Sequence, residues 1–186
     1  MQLDKSVLSL RDINLVDEIH AILFNKQQQY YDNQLFVSFD EQLLTQAKID
    51  SHLFQQLINL LIDISLNNCC ASQFYLQVQL QDKSVGQQLV RFVVKVKKHS
   101  LDTLPNLIIQ LLDSQSAGLA TSPLINIFNI LFTKQYGENI VAQLVEDGYQ
   151  VSFELPLAIA ASADSTDKLI IENTKVMLLS NNTMLA

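Results

Sequence analysis

The sequence has few of the residues that build metal centres or disulfide frameworks. Its 186 residues include two cysteines, Cys69 and Cys70, and three histidines. Adjacent cysteines rarely bond to each other, and a zinc site needs more Cys or His ligands at suitable spacing. We therefore predict no disulfide and no zinc site, and we expect both thiols to be reduced and partly buried.

Positive charge and long apolar runs are also scarce. There are 12 Lys and Arg against 19 Asp and Glu, and the net charge of -7 argues against a nucleic-acid binder. The one basic cluster, which we expect to be a solvated strand end, contains Arg91, Lys95, Lys97, Lys98 and His99. No apolar run approaches the roughly 20 residues that span a bilayer, and the first five residues do not resemble a signal peptide. These absences predict a cytoplasmic domain with no direct membrane insertion.

The sequence does contain enough apolar residues for a sizeable core, because 48% of it is hydrophobic. Alternating apolar residues predict strands over 7–13, 35–39, 74–80, 89–96, 139–145 and 149–155. Helical spacing predicts helices over 14–31, 50–66, 104–112 and 124–135, with 40–46 as a polar connection. Gly86 suits a hairpin loop, and Pro156 is expected to end the last of these strands. This order predicts an α/β fold: a two-layer α/β sandwich, a mixed sheet with helices on one face.

The helix predicted over 50–66 has the clearest pattern. Its apolar face is predicted to consist of Leu53, Leu57, Leu60, Leu61 and Ile64. On its other face, Asn59, Asp63 and Asn67 recur every four residues and so project in nearly one direction. This polar row is either the solvated side of an amphipathic helix or part of a ligand site, and the spacing alone leaves both open.

Three segments, in this order, resemble the ATP-binding domain of histidine kinases, which has the Bergerat fold. Residues 8–24 resemble the strand and helix that begin this domain. Residues 53–63, LFQQLINLLID, resemble the family pattern Leu-x-Gln-x-x-x-Asn-Leu-Leu-x-Asn. Residues 137–157 end in VSFELPL and resemble the family's closing stretch, which ends in Phe-x-Leu-Pro-Leu. The resemblance implies a histidine-kinase ATPase-like domain over 1–157.

The end of the chain has a second resemblance. Residues 175–182, KVMLLSNN, resemble the first strand of a response-regulator receiver domain. Ser180 and Asn181 occupy the places where that family has paired acids that hold a divalent ion. With an Ala-Ser-Asp-rich linker over 158–173 and the start of a receiver over 174–186, the two resemblances together imply a hybrid sensor kinase.

The histidine-kinase resemblance also implies which residues would bind magnesium and adenine. The magnesium position matches Asp63, where the family has a neutral Asn, and the earlier Asn59 of the pattern is retained. A carboxylate can bind magnesium, but beside a triphosphate it adds repulsion. The base-reading Asp is matched by Val96, and Lys98 and Ser100 replace glycines beside it. Valine cannot accept the hydrogen bond from adenine, and a buried donor left unpaired costs about 1–3 kcal/mol.

The phosphate-binding segment of the family is matched by residues that begin at Ser122. This segment contains no glycine, and Pro123 removes one backbone N–H that could hold a phosphate. The resemblance implies four requirements for nucleotide binding: a magnesium ligand, an acceptor for adenine, glycines beside that acceptor and a glycine-rich phosphate segment. The last three fail. If each failure costs ~1.4 kcal/mol, the affinity for ATP falls roughly a thousandfold.

No catalytic constellation is present in the sequence. His20 lacks the phosphoacceptor surroundings of the family, and His52 and His99 have no Ser, Cys or Asp company suited to nucleophilic catalysis. We therefore expect no catalytic residue and no cofactor. The predicted function is a pseudo-ATPase domain of a two-component sensor histidine kinase, acting in phosphorelay signalling through contacts with dimerisation helices and a receiver domain.

Two alternatives remain open at this point. The first is a divergent but active kinase domain that binds ATP with magnesium on Asp63. The second is the docking half of a phosphotransferase, which would need an acceptor histidine on a dimerisation helix. In each case the resemblance implies a homodimeric parent protein that is anchored in the inner membrane.

Overall fold

The computed structural model describes residues 9–68, 72–97, 105–106, 108–109 and 138–160. In chain order the elements are β1 (Leu10–Asn14), α1 (Leu15–Gln29), β2 (Gln34–Phe39), β3 (Gln46–Asp50), α2 (Ser51–Asp63) with a π-helical turn (Ile64–Asn68), β4 (Gln73–Ser84), β5 (Gln87–Lys97), β6 (Glu138–Val145) and β7 (Gly148–Ile159). The predictions for Cys69, Cys70, Lys98, Ser122, the helix over 124–135 and the receiver-like tail lie outside the described residues.

The seven described strands form one mixed sheet, in which six follow the order β1-β3-β7-β5-β4-β2 and β6 pairs with β7 beside this path. Only β2 and β4 pair in parallel, and the other described pairs are antiparallel. Strands β6 and β3 both lie on the edge of β7 opposite β5, where β6 pairs with its first half and β3 with its end. The helices α1 and α2 pack together on one face of the sheet, which confirms the predicted two-layer α/β sandwich.

Alternation along the central strands places the core between α2 and the sheet. On β5, Val90, Phe92, Val94 and Val96 are all buried, as are the alternate β7 residues opposite them. Of the β4 residues opposite them, Leu80 is half-buried and the others are buried. The Phe92 ring stacks on Phe153 with 5.3 Å between centroids and lies 5.7 Å from the Phe54 ring of α2. These aromatic contacts fix α2 over the middle of the sheet.

Both helices begin with the side-chain caps that the sequence favours. The Asn14 side chain accepts hydrogen bonds from the backbone N–H groups of Val16 and Asp17 at the start of α1. Asp50 caps α2 by accepting from the N–H of Leu53, and its second oxygen accepts from Ser9. Among the described residues, no helix is long and apolar enough to cross a membrane.

The structure corrects the predicted apolar face of α2. Phe54, Ile58 and Ile62 are completely buried, whereas Leu53 and Leu60 are only partly buried at the margin of the core. The direction of the face was ambiguous because most positions of this helix are apolar, so that several rotations of the helix satisfy the pattern. The polar residues Asn59 and Asp63 remain on the less buried side, as predicted.

The sequence patterns also do not identify strand β3, which follows the predicted polar connection. Its five residues include only two apolar residues that alternate, Ala47 and Ile49, and both are completely buried. Five residue pairs with β1 and two with β7 hold this strand in the sheet. So short a pattern carries little signal on its own.

The prediction that Pro156 ends the last strand is wrong. Strand β7 continues to Ile159 and keeps its pairing with β5 through Pro156 and beyond. On the opposite edge, β6 stops pairing at Glu154 and β3 begins at Ala158, so in the described part of the chain no strand pairs with Pro156 there. A proline is tolerated in such a gap because it lacks only a ladder donor. The sheet thus extends two residues past the predicted domain boundary at Leu157.

Candidate functional site

The side chains of Lys26 and Tyr30 meet Asp63 where α1 and α2 end. The Lys26 Nζ lies 2.6 Å from the Asp63 Oδ1, and the Tyr30 hydroxyl donates to the same oxygen at 2.7 Å. The Lys26 side chain is 13% exposed and the Asp63 side chain 32%. The carboxylate that the resemblance assigns to magnesium is therefore bound by a cation from within the chain.

Local structure explains why these three residues converge. Lys26 lies in the last turn of α1 and Tyr30 is its C-cap residue, so the two side chains are four residues apart on one side of the helix. Asp63 is the last α-helical residue of α2 and directly precedes the π-helical turn.

The ammonium of Lys26 has further partners beside the carboxylate. It donates to the Gln29 Oε1 at 3.2 Å and lies 5.8 Å from the centroid of the Tyr30 ring. A lysine ammonium has three donors, and its charge is stabilised near the face of an aromatic ring. Lys26 is therefore held by three kinds of contact and does not depend on the carboxylate alone.

The other predicted site residues lie in different surroundings. Asn59 is half-buried one turn before Asp63, on the same side of α2. Val96 is 2% exposed and belongs to the hydrophobic core, where it pairs with Phe74 of β4 and Tyr149 of β7. An apolar side chain enclosed in this way offers no hydrogen-bonding group to a base. The predicted positions Lys98 and Ser122 lie outside the described residues.

The residues present at Asp63 do not fit a divalent cation. Magnesium is held by near-octahedral oxygen ligands, which include carboxylates and waters. Here one oxygen of Asp63 already accepts two hydrogen bonds, one of them from a positive group. In the part of the chain that the structure describes, no group of three or more His, Cys, Asp or Glu could hold a metal ion. A divalent cation at Asp63 would have to displace Lys26 or lie against its charge.

Sequence reasoning did not identify the contact that fixes the other side of the α2 terminus. Ser65, in the π-helical turn, donates to the carbonyl of Leu61 at 2.6 Å and shares a 3.0 Å hydrogen bond with the Tyr149 hydroxyl. Both side chains are almost completely buried. Since 84 residues separate them, no local pattern could have predicted this bond. It attaches the end of α2 to β7.

His20 and the basic cluster have structural partners. The His20 ring packs edge-on against Phe39 with 5.3 Å between centroids, which agrees with a packing role. Arg91 is paired with Glu154, and the Lys97 Nζ lies 3.4 Å from an oxygen of Asp147. Lys97 agrees with a solvated strand end, whereas Arg91 lies in the middle of β5 and pairs with a buried carboxylate.

The sheet face away from the helices is polar and forms a shallow cavity of about 200 Å³. The cavity is lined by Gln77, Gln79, Arg91, Val93, Lys95, Gln150 and Ser152. Amide, hydroxyl and cationic groups on an open surface of this kind suit water or a polar partner. The cavity lies on the opposite side of the sheet from the core-facing Val96.

No protein-family model matches the sequence, and no curated protein sequence matches it either. Solved structures do. The catalytic domain of the histidine kinase ThkA superposes with a TM-score of 0.51 at 18% identity, covering 80% of this chain and 95% of that one. The Acinetobacter baumannii histidine kinase AdeS matches with a TM-score of 0.50 at 12% identity over 82% of this chain and 68% of its own.

A third similar structure is full-length ShkA in complex with AMPPNP. It matches with a TM-score of 0.53 at 15% identity, covering 84% of this chain and 33% of that chain. Identities this low describe the fold and not the activity. The chain therefore has the fold of a histidine-kinase catalytic domain.

Proposed function

We propose that this chain is a pseudo-ATPase domain of a two-component sensor histidine kinase, which keeps the kinase fold and acts through protein contacts without binding ATP. The observation that carries the proposal is the contact between Lys26 and Asp63. The carboxylate at the expected magnesium position lies 2.6 Å from a lysine ammonium and accepts a second hydrogen bond from Tyr30.

The surroundings of Val96 support the same conclusion. A base-reading position must present a polar atom that accepts a hydrogen bond from adenine, but Val96 presents methyl groups to a core in which it is 2% exposed. A purine donor left without its acceptor costs about 1–3 kcal/mol. Loss of the metal contact and loss of the base contact act on different parts of the nucleotide, so their costs to affinity should add.

The partners follow from the proposed parent protein. We expect the domain to contact the dimerisation helices and the receiver domain of the same protein or of a partner kinase, in the cytoplasm, within a homodimer linked to the inner membrane. No nucleic acid is expected among its ligands, given the net charge of -7. The receiver-like strand over 174–186 lies outside the described residues and remains a prediction.

Isothermal titration calorimetry with ATP and Mg²⁺ tests the proposal on the full chain. We expect no saturable binding at ATP concentrations up to about 1 mM, a limit that corresponds to a binding free energy of about -4 kcal/mol. Titration of AMPPNP into ShkA, whose structure contains that ligand, is the positive control. Saturable micromolar binding by this chain would overturn the pseudo-ATPase function.

The alternative, an active but divergent kinase domain, is favoured by one observation: ShkA has this fold and binds AMPPNP. On that hypothesis Asp63 would release Lys26 when magnesium and ATP bind. Replacement of Asp63 by alanine would then abolish nucleotide binding, and a form that includes the dimerisation helices would form phosphohistidine. The pseudo-ATPase proposal predicts no phosphohistidine in that form.

A further inference from the structure

We propose that the Lys26 ammonium is a built-in substitute for the divalent cation at Asp63. This inference rests on the proposed pseudo-ATPase function and adds a specific residue to it. The metal position would then be closed by an internal cation. The loss of metal binding would not depend on the changes at the base-binding and phosphate-binding positions. Removal of this one amine should make the carboxylate available to metal ions.

The geometry gives the ammonium an environment of the kind that a bound cation has. Its contacts are the Asp63 Oδ1 at 2.6 Å, the Gln29 Oε1 at 3.2 Å and the Tyr30 ring at 5.8 Å. The Lys26 side chain is 13% exposed, which is unusual for a lysine without a structural role. Two oxygen atoms and one aromatic ring therefore surround a charge that is largely withdrawn from water.

The presence of Asp instead of Asn at position 63 is consistent with an ammonium in place of the metal ion. By resemblance, this helix position has a neutral Asn in kinases that bind magnesium with ATP, whereas here it has Asp63. A neutral amide beside Lys26 would leave a mostly buried ammonium without a countercharge, at a substantial cost. The carboxylate neutralises it, so the lysine and the aspartate form one unit with no net charge at the end of α2.

A second feature of the contact explains why the ammonium would exclude a metal ion. Lys26 and Tyr30 donate to the same carboxylate oxygen, Oδ1, and no hydrogen bond to the other oxygen, Oδ2, is seen among the described residues. A divalent ion at Oδ2 would lie within a few ångströms of the ammonium. Like charges a few ångströms apart repel strongly where little water separates them, and a divalent ion doubles the repulsion.

Titration of Mn²⁺ followed by electron paramagnetic resonance tests whether the Lys26 ammonium takes the place of the metal ion. The variants are Lys26→Met, which keeps the apolar stem and removes the charge, and the double variant Lys26→Met with Asp63→Asn. Lys48→Met is the matched control, because Lys48 also pairs with a carboxylate, that of Asp12 at 3.7 Å, but on the exposed surface. Bound Mn²⁺ is measured in each variant relative to the wild type.

We expect Lys26→Met to bind Mn²⁺ at least about tenfold more tightly than the wild type, which is ~1.4 kcal/mol. The double variant and Lys48→Met should both bind like the wild type. If Lys26→Met keeps the circular dichroism spectrum of the wild type and gains no Mn²⁺ affinity, the proposal that Lys26 replaces the metal ion is overturned. An equal gain in Lys48→Met would also overturn it, because the effect would then be one of net charge.

A measurement on the wild-type protein covers the case in which Lys26→Met does not fold. In a heteronuclear NMR spectrum, Mn²⁺ below about 1 mM should leave the Asp63 and Asn59 amide signals unbroadened, since that range is typical of weak carboxylate sites. Selective broadening of these two signals would overturn the proposal that Lys26 replaces the metal ion. The pseudo-ATPase function fails on a different result, saturable binding of ATP, which can occur with or without metal at Asp63.

Discussion

Arg91 of β5 and Glu154 of β7 lie directly opposite each other on the sheet face away from the helices, and they form an ion pair in which only the carboxylate is buried. The Arg91 Nε donates to the Glu154 Oε1 at 2.7 Å, and the Asn139 amide donates to the other oxygen at 2.5 Å. The Glu154 side chain is 4% exposed, whereas that of Arg91 is 39% exposed.

This asymmetry predicts that the two halves of the pair contribute unequally to stability. Arg91→Met leaves a buried carboxylate with one neutral donor, and removal of one partner from a buried pair costs about 3–5 kcal/mol, less where water can enter. Glu154→Gln leaves a guanidinium that can turn into solvent, so we expect a loss of about 1 kcal/mol. Urea denaturation monitored by circular dichroism gives both values.

The control for this pair is Lys97→Met. The Lys97 Nζ lies 3.4 Å from Asp147, but both side chains are substantially exposed, so its loss should cost less than about 1 kcal/mol. If Glu154→Gln proves more destabilising than Arg91→Met, the buried carboxylate is not the group that needs its partner.

Asn139 supports this cluster through its backbone. It has a φ of 56°, in the left-handed region that asparagine tolerates better than most residues, and it lies where the pairing of β6 with β7 shifts register. Asn139→Ala should therefore lose both the hydrogen bond to Glu154 and part of the preference for this conformation. Asn139→Gly keeps the conformation and loses only the bond, so its free energy of unfolding should be the higher of the two variants.

How much of this structure the sequence could predict depends on how local the cause is. The alternation in β4 and β5 is local, and the structure contains it as predicted. The cause of strand β3 is not local, because pairing with β1 and β7 holds its five residues and their own pattern is short. Its existence depends on partners that a window of sequence does not contain.

The candidate site shows the same division. The row of Asn59 and Asp63 along α2 follows from helical spacing, and the family resemblance matched Asp63 to the magnesium position. The partner of Asp63 could not be found in this way, because Lys26 is 37 residues earlier and looks like an ordinary basic residue in the last turn of a helix. Only the packing of α1 on α2 brings the two charges together.

Val96 allows a test of whether the base-binding position can be restored by one change. Val96→Asp introduces the residue type that the resemblance assigns to adenine recognition, but it buries a carboxylate where the side chain is 2% exposed. Because a buried charge without a partner is very unfavourable, we expect a loss of at least about 3 kcal/mol in the free energy of unfolding. Thermal denaturation measures this loss.

The matched variant is Val96→Thr, which has the same shape and adds a hydroxyl without a charge. Its cost should be about 1–3 kcal/mol, the range for a buried polar group with poor partners. If Val96→Asp instead folds as stably as the wild type and binds ATP, the core around Val96 is an intact adenine site that lacks only its acceptor. The Lys26–Asp63 contact would then not be what prevents ATP binding.

Gln88 joins the chain segment before β3 to the sheet. Its side chain is completely buried; the Oε1 accepts from the Leu44 N–H at 3.1 Å, and the Nε2 donates to the Leu44 carbonyl at 2.7 Å. Gln88→Leu removes both bonds and leaves two backbone groups without a partner, at a cost of about 1–3 kcal/mol. Amide hydrogen exchange should show loss of protection at Leu44.

Amide hydrogen exchange at residues far from this segment distinguishes local from global unfolding. In Gln88→Leu, the amides in the middle of β5, such as Phe92, should lose protection only by the amount that global stability falls. Gln88→Glu keeps an acceptor for Leu44 but buries a charge, so it should be less stable than Gln88→Leu. The opposite order would mean that the bond accepted from the Leu44 N–H outweighs the cost of the buried charge.

The start of α2 provides the last prediction, because Asp50 holds two backbone N–H groups at once. Its Oδ1 accepts from Leu53 at 3.1 Å and its Oδ2 from Ser9 at 2.9 Å, with 7% of the residue exposed. Asp50→Ala should cost about 2–3 kcal/mol, since it removes an N-cap and one further charge-assisted bond.

Asp50→Asn separates these two contributions. Asparagine is as good an N-cap as aspartate and keeps one acceptor oxygen for Leu53, so the loss should be about 1 kcal/mol, from the Ser9 bond and the charge near the positive end of α2. Asn14→Ala, which removes only a cap from α1, should also cost about 1 kcal/mol. If Asp50→Ala and Asp50→Asn are equally stable, Asp50 does not cap α2 in solution.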